Sequence, residues 1–176
     1  MFKYIIKDLL ATCSYLPYGI GLVIVVGLIA GGINKIRIRK NKPGIAVMPV
    51  TLLVAYGLTV LLITFLSRED SRSTGMYLEL FSSWGINARN NAYFIENVLL
   101  FVPLGFFYGW VVQAKGSCVA GLLLGCSFSF CIESLQLVTG RGVFQVDDIL
   151  TNGLGMLIGT ILFKICDWVY RRRDRR

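Results

Sequence analysis

Long apolar segments without a charged side chain constrain the fold of this sequence more than any other feature. Residues 9–34 contain no charge, and four further apolar runs follow along the chain of 176 residues. A helix of about 20 apolar residues spans a bilayer, and these continuous runs lack the alternating pattern of a membrane β-strand. The sequence therefore predicts an all-α fold, a polytopic membrane helical bundle with about five transmembrane helices.

The apolar runs and their flanking charges divide the chain. We predict spans at about residues 16–33, 45–67, 97–114, 117–138 and 149–165. The third span is predicted to be interrupted by Pro103 and Gly105. Together the spans form a single transmembrane domain over residues 16–170. Residues 1–15 precede it as an amino-terminal interfacial segment, or alternatively extend the first helix, and residues 171–176 form a basic tail.

Basic clusters predict the orientation of these spans. Five cations occur within eight residues after the first span, and five arginines lie near the end of the sequence: Lys35, Arg37, Arg39, Lys40, Lys42, Arg171, Arg172, Arg173, Arg175 and Arg176. Lys and Arg concentrate on the cytoplasmic side, so we predict an outside amino terminus and a cytoplasmic carboxyl terminus. The loop between spans two and three is then external. Its helically spaced residues Tyr77, Leu80, Phe81 and Trp84 predict contact with the outer membrane surface.

Composition excludes several classes of function. The net charge of +8 comes from clusters beside apolar runs, which argues against nucleic acid as a partner. The chain has no histidine, which excludes Ser-His-Asp and Cys-His catalysis and histidine zinc sites. The five cysteines show no Cys-x-x-Cys spacing and are interpreted as small apolar residues. We predict no metal site and no cofactor.

Polar residues gather where the predicted topology brings the outer ends of the spans together. Glu133 and Gln136 share a helix face near the end of span four, and Asp148 and Asn152 share one at the start of span five. Ionisable groups in such segments are costly and are functional candidates by default. The candidate ligand-binding residues are Arg68, Glu69, Asn97, Glu133, Gln136, Arg141, Asp147, Asp148 and Asn152.

The residue pattern alone leaves the chemistry of this polar group open. Glu133 and Asp148 are candidate acid–base residues if their surroundings separate their pKa values. Three acids also suit a divalent cation. A purely structural role is the third reading, with Arg141 paired to a carboxylate and amides joining helices at about 0.6 kcal/mol each. Asp147 and Asp148 would then act as helix-start anions.

Two spans carry glycines four residues apart, which allow helices to approach closely: Gly121, Gly125, Gly155 and Gly159. The second pair continues the face of Asp148 and Asn152. We therefore predict that this face points into the bundle. The sequence allows the glycine faces to serve internal packing or a homo-oligomer equally well.

Short motifs follow one another in a fixed order: Leu66-Ser67-Arg68-Glu69, the run from Asn97 to Gly105, Glu133-Ser134-Leu135-Gln136, Gly140-Arg141, and Asp147-Asp148 through Asn152 to Gly155 and Gly159. Their order and spacing over about residues 45–165 resemble the VanZ-like family. The resemblance implies a multi-pass protein of the bacterial plasma membrane. The member that gives the family its name raises resistance to teicoplanin, a lipid-tailed glycopeptide. The resemblance implies no established reaction. The family's polar positions correspond to Arg68, Glu69, Asn97, Glu133, Gln136, Arg141, Asp148 and Asn152.

The leading hypothesis is a non-enzymatic role in the cell envelope, with membrane lipids or a lipid-linked component as partner. Arg141 and Arg68 would bind an anionic headgroup, oriented by the three amides, while Glu133 and Asp148 hold the arginines. The alternative is a membrane enzyme that modifies a lipid headgroup, with the same two acids as acid–base groups. A proton-linked transporter is less favoured because no inverted repeat is visible.

Overall fold

The computed structural model describes residues 1–66, 75–81, 84–113 and 116–174. These residues form six helices: α1 (Phe2–Cys13), α2 (Leu16–Arg39), α3 (Val47–Leu66), α4 (Ala88–Val112), α5 (Cys118–Thr139) and α6 (Val146–Asp174). Five of them, α2 to α6, are long and apolar enough to cross a membrane. The predicted all-α bundle with five spans is confirmed.

The first two helices are separate. Helix α1 ends at Cys13 and α2 begins at Leu16, with Pro17 in the first turn of α2, where its missing N–H is not needed. Helix α1 is amphipathic and packs against α4. Its Ile5 is buried, whereas Phe2 and Leu10 are exposed. Residues 2–13 therefore do not extend the first long helix.

Helices α4 and α6 run in the same direction and form the centre of the bundle. Gly155 and Gly159 of α6 lie against the backbone carbonyls of Val98 and Val102 of α4. A Cβ atom at either glycine would overlap these carbonyl oxygens. The close approach depends on the missing side chains, and it confirms that this face of α6 points into the bundle.

Helix α5 packs antiparallel to α6 through the other predicted glycine pair. A Cβ atom on Gly121 would collide with Thr160, and one on Gly125 would collide with Met156. Both glycine pairs therefore serve packing within the chain. A homo-oligomer stays a prediction, and it would need a different surface.

Helix α3 lies against α4 and completes the core. The hydroxyl of Tyr56 donates a 2.9 Å hydrogen bond to the carbonyl of Leu100. The buried cluster takes at least one side chain from each of α3 to α6, namely Val60, Phe101, Leu104, Tyr108, Ile132 and Met156. Helix α2 packs along α3, and most of its surface is exposed.

Helix α4 differs from the predicted third span at two points. It begins at Ala88 rather than Asn97, because the side chain of Asn87 caps it by accepting from the N–H groups of Arg89 and Asn90. It also continues through Pro103 without the predicted interruption. Membrane helices tolerate proline where neighbouring helices and local adjustments satisfy the freed backbone groups.

A short pair of strands was not expected from the sequence. Strand β1 (Met76–Tyr77) pairs in parallel with β2 (Phe144–Gln145). Residues 75–81 therefore form no helix, despite the helical spacing of Tyr77 and Phe81. Both side chains are exposed. The pairing ties the segment before α4 to the connection between α5 and α6.

Candidate functional site

Buried polar side chains concentrate at one end of the bundle, where α3 and α5 finish and α4 and α6 begin. We call this the polar end. The exposed fractions are 2% for Glu133, 0% for Gln136, 3% for Asp147 and 6% for Asn152. The opposite end carries the basic residues that follow Ile33 and Tyr170. The polar side chains at this end are thus buried, in a bundle that is otherwise mostly apolar.

Side chains from two other helices form hydrogen bonds with Asp148 of α6. Its Oδ1 accepts a 2.7 Å hydrogen bond from the side-chain amide of Asn97 on α4. Its backbone carbonyl accepts from the hydroxyl of Ser129 on α5, at 3.3 Å. The hydroxyl of Ser129 in turn accepts a 2.8 Å hydrogen bond from the amide of Asn152. These bonds connect α4, α5 and α6 at one depth.

Two buried carboxylates hold backbone groups of the connecting segments. Glu133 accepts a 3.0 Å hydrogen bond from the N–H of Gln145 in β2. Asp147 accepts a 2.7 Å bond from the N–H of Phe81, which lies beyond β1. Hydrogen bonds to charged acceptors are the stronger kind, so both acids fix the chain around the strand pair.

Gln136 joins α5 to α3. Its side-chain amide donates a 3.2 Å hydrogen bond to the backbone carbonyl of Thr64, in the last turn of α3. The backbone carbonyl of Gln136 accepts a hydrogen bond from the backbone N–H of Arg141, after the left-handed Gly140 ends α5. This turn places Arg141 directly after the end of α5, where the residue is half-buried.

Five buried side-chain oxygens have no hydrogen-bond partner among the described residues. Two of them are Thr51 Oγ1 and Glu96 Oε1, and the other three belong to the polar-end residues given above: Gln136 Oε1, Asp147 Oδ2 and Asn152 Oδ1. All three are acceptors. An unmatched buried polar atom costs about 1–3 kcal/mol, so each needs a reason. By contrast, Glu133, Arg141 and Asp148 each make at least one further interaction beyond those given above.

The arrangement can be compared with known proteins. A family model described as VanZ/LLP1 matches residues 50–167, which include the whole polar end. The chain belongs to the VanZ/LLP1 family. No curated protein and no solved structure matches it. Family membership and five apolar helices together make this a multi-pass membrane protein.

The VanZ/LLP1 bundle brings together most of the residues selected from the sequence: Asn97, Glu133, Gln136, Arg141, Asp147, Asp148 and Asn152. Arg68 and Glu69 lie outside the described residues. Among the described residues, no three acidic, cysteine or histidine side chains form a group that could hold a metal ion. The three-acid cation site therefore has no counterpart in that part of the chain.

Two residues of the VanZ/LLP1 polar end were missed from the sequence. Ser129 is fully buried and links Asn152 to the backbone of Asp148. Thr151 is buried and donates to the carbonyl of Asp147 at 2.9 Å. Ser129 precedes Glu133 by four residues, so helical spacing placed it on the same face. Its small uncharged side chain gave no reason to select it.

Proposed function

We propose that this VanZ/LLP1 protein binds the headgroup of a membrane lipid or lipid-linked envelope component at its polar end. The observation that carries the proposal is the set of enclosed acceptor oxygens on Gln136, Asp147 and Asn152 that lack donors among the described residues. Buried polar groups in membrane segments are costly, and their presence favours a binding role. Pure helix packing leaves these oxygens unexplained.

The side chains at the polar end favour a headgroup with two kinds of group. A phosphate would bind Arg141, whose planar guanidinium suits bidentate recognition. Arg68 would add a second cation. Hydroxyl or ammonium donors of the same headgroup would then serve the acceptor oxygens. In this proposal Asn97 and Ser129 position Asp148 and Asn152 through the hydrogen bonds already described.

The proposed setting is the bacterial plasma membrane, with the polar end facing outward. The basic residues that follow α2 and end α6 lie at the opposite end, which favours a cytoplasmic location for that end. In this orientation the polar end meets outer-leaflet lipids and lipid-linked envelope precursors. In this proposal, lipid-tailed glycopeptides such as teicoplanin insert at the same surface. Occupation of that surface by the protein and its bound lipid would then lower the sensitivity of the cell to these drugs.

Selective lipid retention tests the headgroup proposal. The full-length protein is purified from micelles holding equal amounts of phosphatidylglycerol and phosphatidylcholine with identical acyl chains, and bound lipid is measured by mass spectrometry. We expect phosphatidylglycerol to be retained preferentially, because it offers both a phosphate anion and hydroxyl donors. Replacement of the proposed phosphate ligand, Arg141→Ala, is expected to remove the preference.

The matched control is Arg89→Ala. Arg89 is an exposed cation at the first turn of α4, at the same end of the bundle, where it contacts Tyr93 rather than the buried acids. This variant is expected to retain the preference of the unmodified protein. Equal retention of the two lipids by the unmodified protein, or an unchanged preference in Arg141→Ala, would overturn the proposal.

A further inference from the structure

An open apolar cleft of about 310 Å³ lies between α3 and α5. Its floor is formed by Leu104 and Tyr108 of α4 and Met156 of α6, all of which are buried. Tyr108 is the only lining residue whose side chain carries a polar atom. The volume falls at the lower end of the range of about 300–1,000 Å³ for ligand pockets.

The mouth of the cleft opens on the outer surface of membrane-length helices. Its rim includes Val54 and Leu58 of α3 and Leu124 of α5, which are 43%, 38% and 50% exposed. The medium around such helices is the hydrocarbon of the bilayer. Water has almost no polar partner along this lining and would gain little by entering.

The cleft runs toward the polar end. Its lining on α3 extends from Leu53 to Leu61, a length of about 12 Å at 1.5 Å per residue. Leu61 lies one turn before Thr64, whose carbonyl accepts from Gln136. One leaflet contributes about 15 Å, half of the hydrocarbon core. The length therefore suits a chain that descends from the polar end through one leaflet.

We propose that the cleft between α3 and α5 binds one acyl chain of a membrane lipid. The inference rests on the proposed function in one respect, that the headgroup of this lipid lies at the polar end. An α-helix from a second copy is about 10–12 Å across with its side chains and is too wide to enter a slot of this volume. A flexible acyl chain fits it.

The expected preference is modest for a physical reason. Bilayer hydrocarbon is as apolar as the cleft, so the chain gains no transfer free energy on entering. What it gains is contact with lining atoms that would otherwise face a void. Binding in the cleft therefore depends on shape, and a side chain that fills the space should compete directly.

Photolabelling tests the inference. The full-length protein is placed in phosphatidylcholine vesicles with a trace of phosphatidylglycerol that carries a diazirine midway along one acyl chain, and labelled residues are mapped by mass spectrometry. We expect labelling at Leu58 and Leu124 to exceed that at Leu28 by about threefold, because packing alone gives a modest preference. Leu28 on α2 is 73% exposed and reports ordinary lipid contact.

Gly57→Leu supplies the cleft-filling variant. A Cβ atom at Gly57 would lie 3.7 Å from the nearest side-chain atom, Cδ1 of Leu104, which is an ordinary contact. This variant is expected to reduce cleft labelling to the level of Leu28. Its matched control is Gly21→Leu on α2, where an added Cβ would meet no atom within 4 Å, and here labelling should persist.

A second pair of variants covers the case in which Gly57→Leu fails to fold. Leu124→Trp narrows the mouth from the exposed rim, whereas Leu123→Trp adds the same ring next to it, at a residue that is 60% exposed and outside the lining. Loss of labelling at Leu58 in the first alone supports the inference. Labelling at Leu58 that equals that at Leu28, or that neither filling variant changes, overturns it.

The headgroup is tested separately with a phosphatidylcholine probe that carries the same diazirine chain. Cleft labelling that is equal for both probes and unchanged in Arg141→Ala would remove the headgroup proposal and leave the acyl-chain site standing. Headgroup selection without cleft labelling would remove the acyl-chain site and leave the headgroup proposal standing. The two failures are therefore distinguishable in one set of samples.

Discussion

The side-chain amide of Asn97 donates a 2.7 Å hydrogen bond to the carboxylate of Asp148. The bond joins the two helices that run in the same direction through the centre of the bundle, α4 and α6. Their backbones are close because Gly155 lies against the carbonyl of Val98, one residue after Asn97. Glycine packing in the apolar layer thus sets the distance at which the polar pair can form.

Removal of this bond should weaken the contact between α4 and α6 measurably. We expect Asn97→Ala to lower the free energy of unfolding by about 0.6–1.7 kcal/mol, which runs from the average to the largest value found for polar contacts between membrane helices. The measurement is unfolding in mixed micelles of detergent and SDS. Asn90→Ala, on the same helix two turns earlier, is the matched control and should change stability less.

A double-mutant cycle isolates the pair. If the two side chains act mainly on each other, Asn97→Ala and Asp148→Ala together should destabilise less than the sum of the two single changes. Full additivity would show that Asn97 contributes through some contact other than its bond to Asp148.

A methyl group at the glycine contact should be poorly tolerated. A Cβ atom at Gly159 would overlap the backbone carbonyl of Val102, which cannot rotate away as a side chain would. We expect Gly159→Ala to destabilise the protein by about 1–3 kcal/mol, as overpacking does. Yield and SDS-induced unfolding measure the effect.

The same substitution on α2 provides the control for Gly159. A Cβ atom at Gly31 would meet no atom within 4 Å. Gly31→Ala should therefore be neutral or stabilising by about 0.5–1 kcal/mol, because alanine is the better helix former. Similar losses in the two variants would contradict the close packing of α4 against α6.

Glu133 should tolerate loss of its charge better than loss of its oxygen. Glu133→Gln keeps an acceptor for the N–H of Gln145, whereas Glu133→Leu leaves that donor unmatched. We expect the leucine variant to lose about 1–3 kcal/mol and the glutamine variant less. Thermal unfolding compares them, and an equal loss in the two variants would show that the charge, rather than the acceptor oxygen, is needed for folding.

The folded Glu133→Gln variant also tests the enzymatic alternative. An enzyme with Glu133 as general base would convert a lipid in a bacterial extract, and the glutamine variant would lose that turnover while it stays folded. Thin-layer chromatography or mass spectrometry of the extract reports the product. Absence of a product from any extract counts against this alternative and leaves the binding proposal in place.

Resistance should depend on the lipid tail of the drug. In a sensitive Gram-positive host, the chain is expected to raise the inhibitory concentration of teicoplanin but not that of vancomycin. Arg141→Ala should lose the effect at matched membrane levels, and Arg89→Ala should keep it. An equal rise for both drugs would mean that the tail is not what the protein acts on.

The sequence predicted the number of spans correctly because hydropathy is a local property. It also selected polar residues that the structure brings together, since Glu133 with Gln136 and Asp148 with Asn152 stand out against apolar neighbours. It placed the start of α4 too late because Arg89, Asn90 and Glu96 make its first turns resemble a loop. The decisive contact there is the cap from Asn87, which hydropathy does not measure.

The connections at the polar end were beyond prediction for a different reason. Strands of two residues are too short to show an alternating pattern, and two helices, α4 and α5, lie between β1 and β2 in the sequence. The pairing of Asp147 with the N–H of Phe81 involves a backbone group, which every residue except proline carries. No side-chain pattern marks such a partner in advance.

The placement of α5 has a consequence for how the protein is made. Two residues of its polar face find partners in later parts of the chain: Glu133 in Gln145, and Ser129 in Asn152. When α5 first emerges from the ribosome, both of these partners still lie inside the exit tunnel. The helix therefore enters the bilayer with an incomplete polar stripe, and its final position is set only when α6 arrives between it and α4.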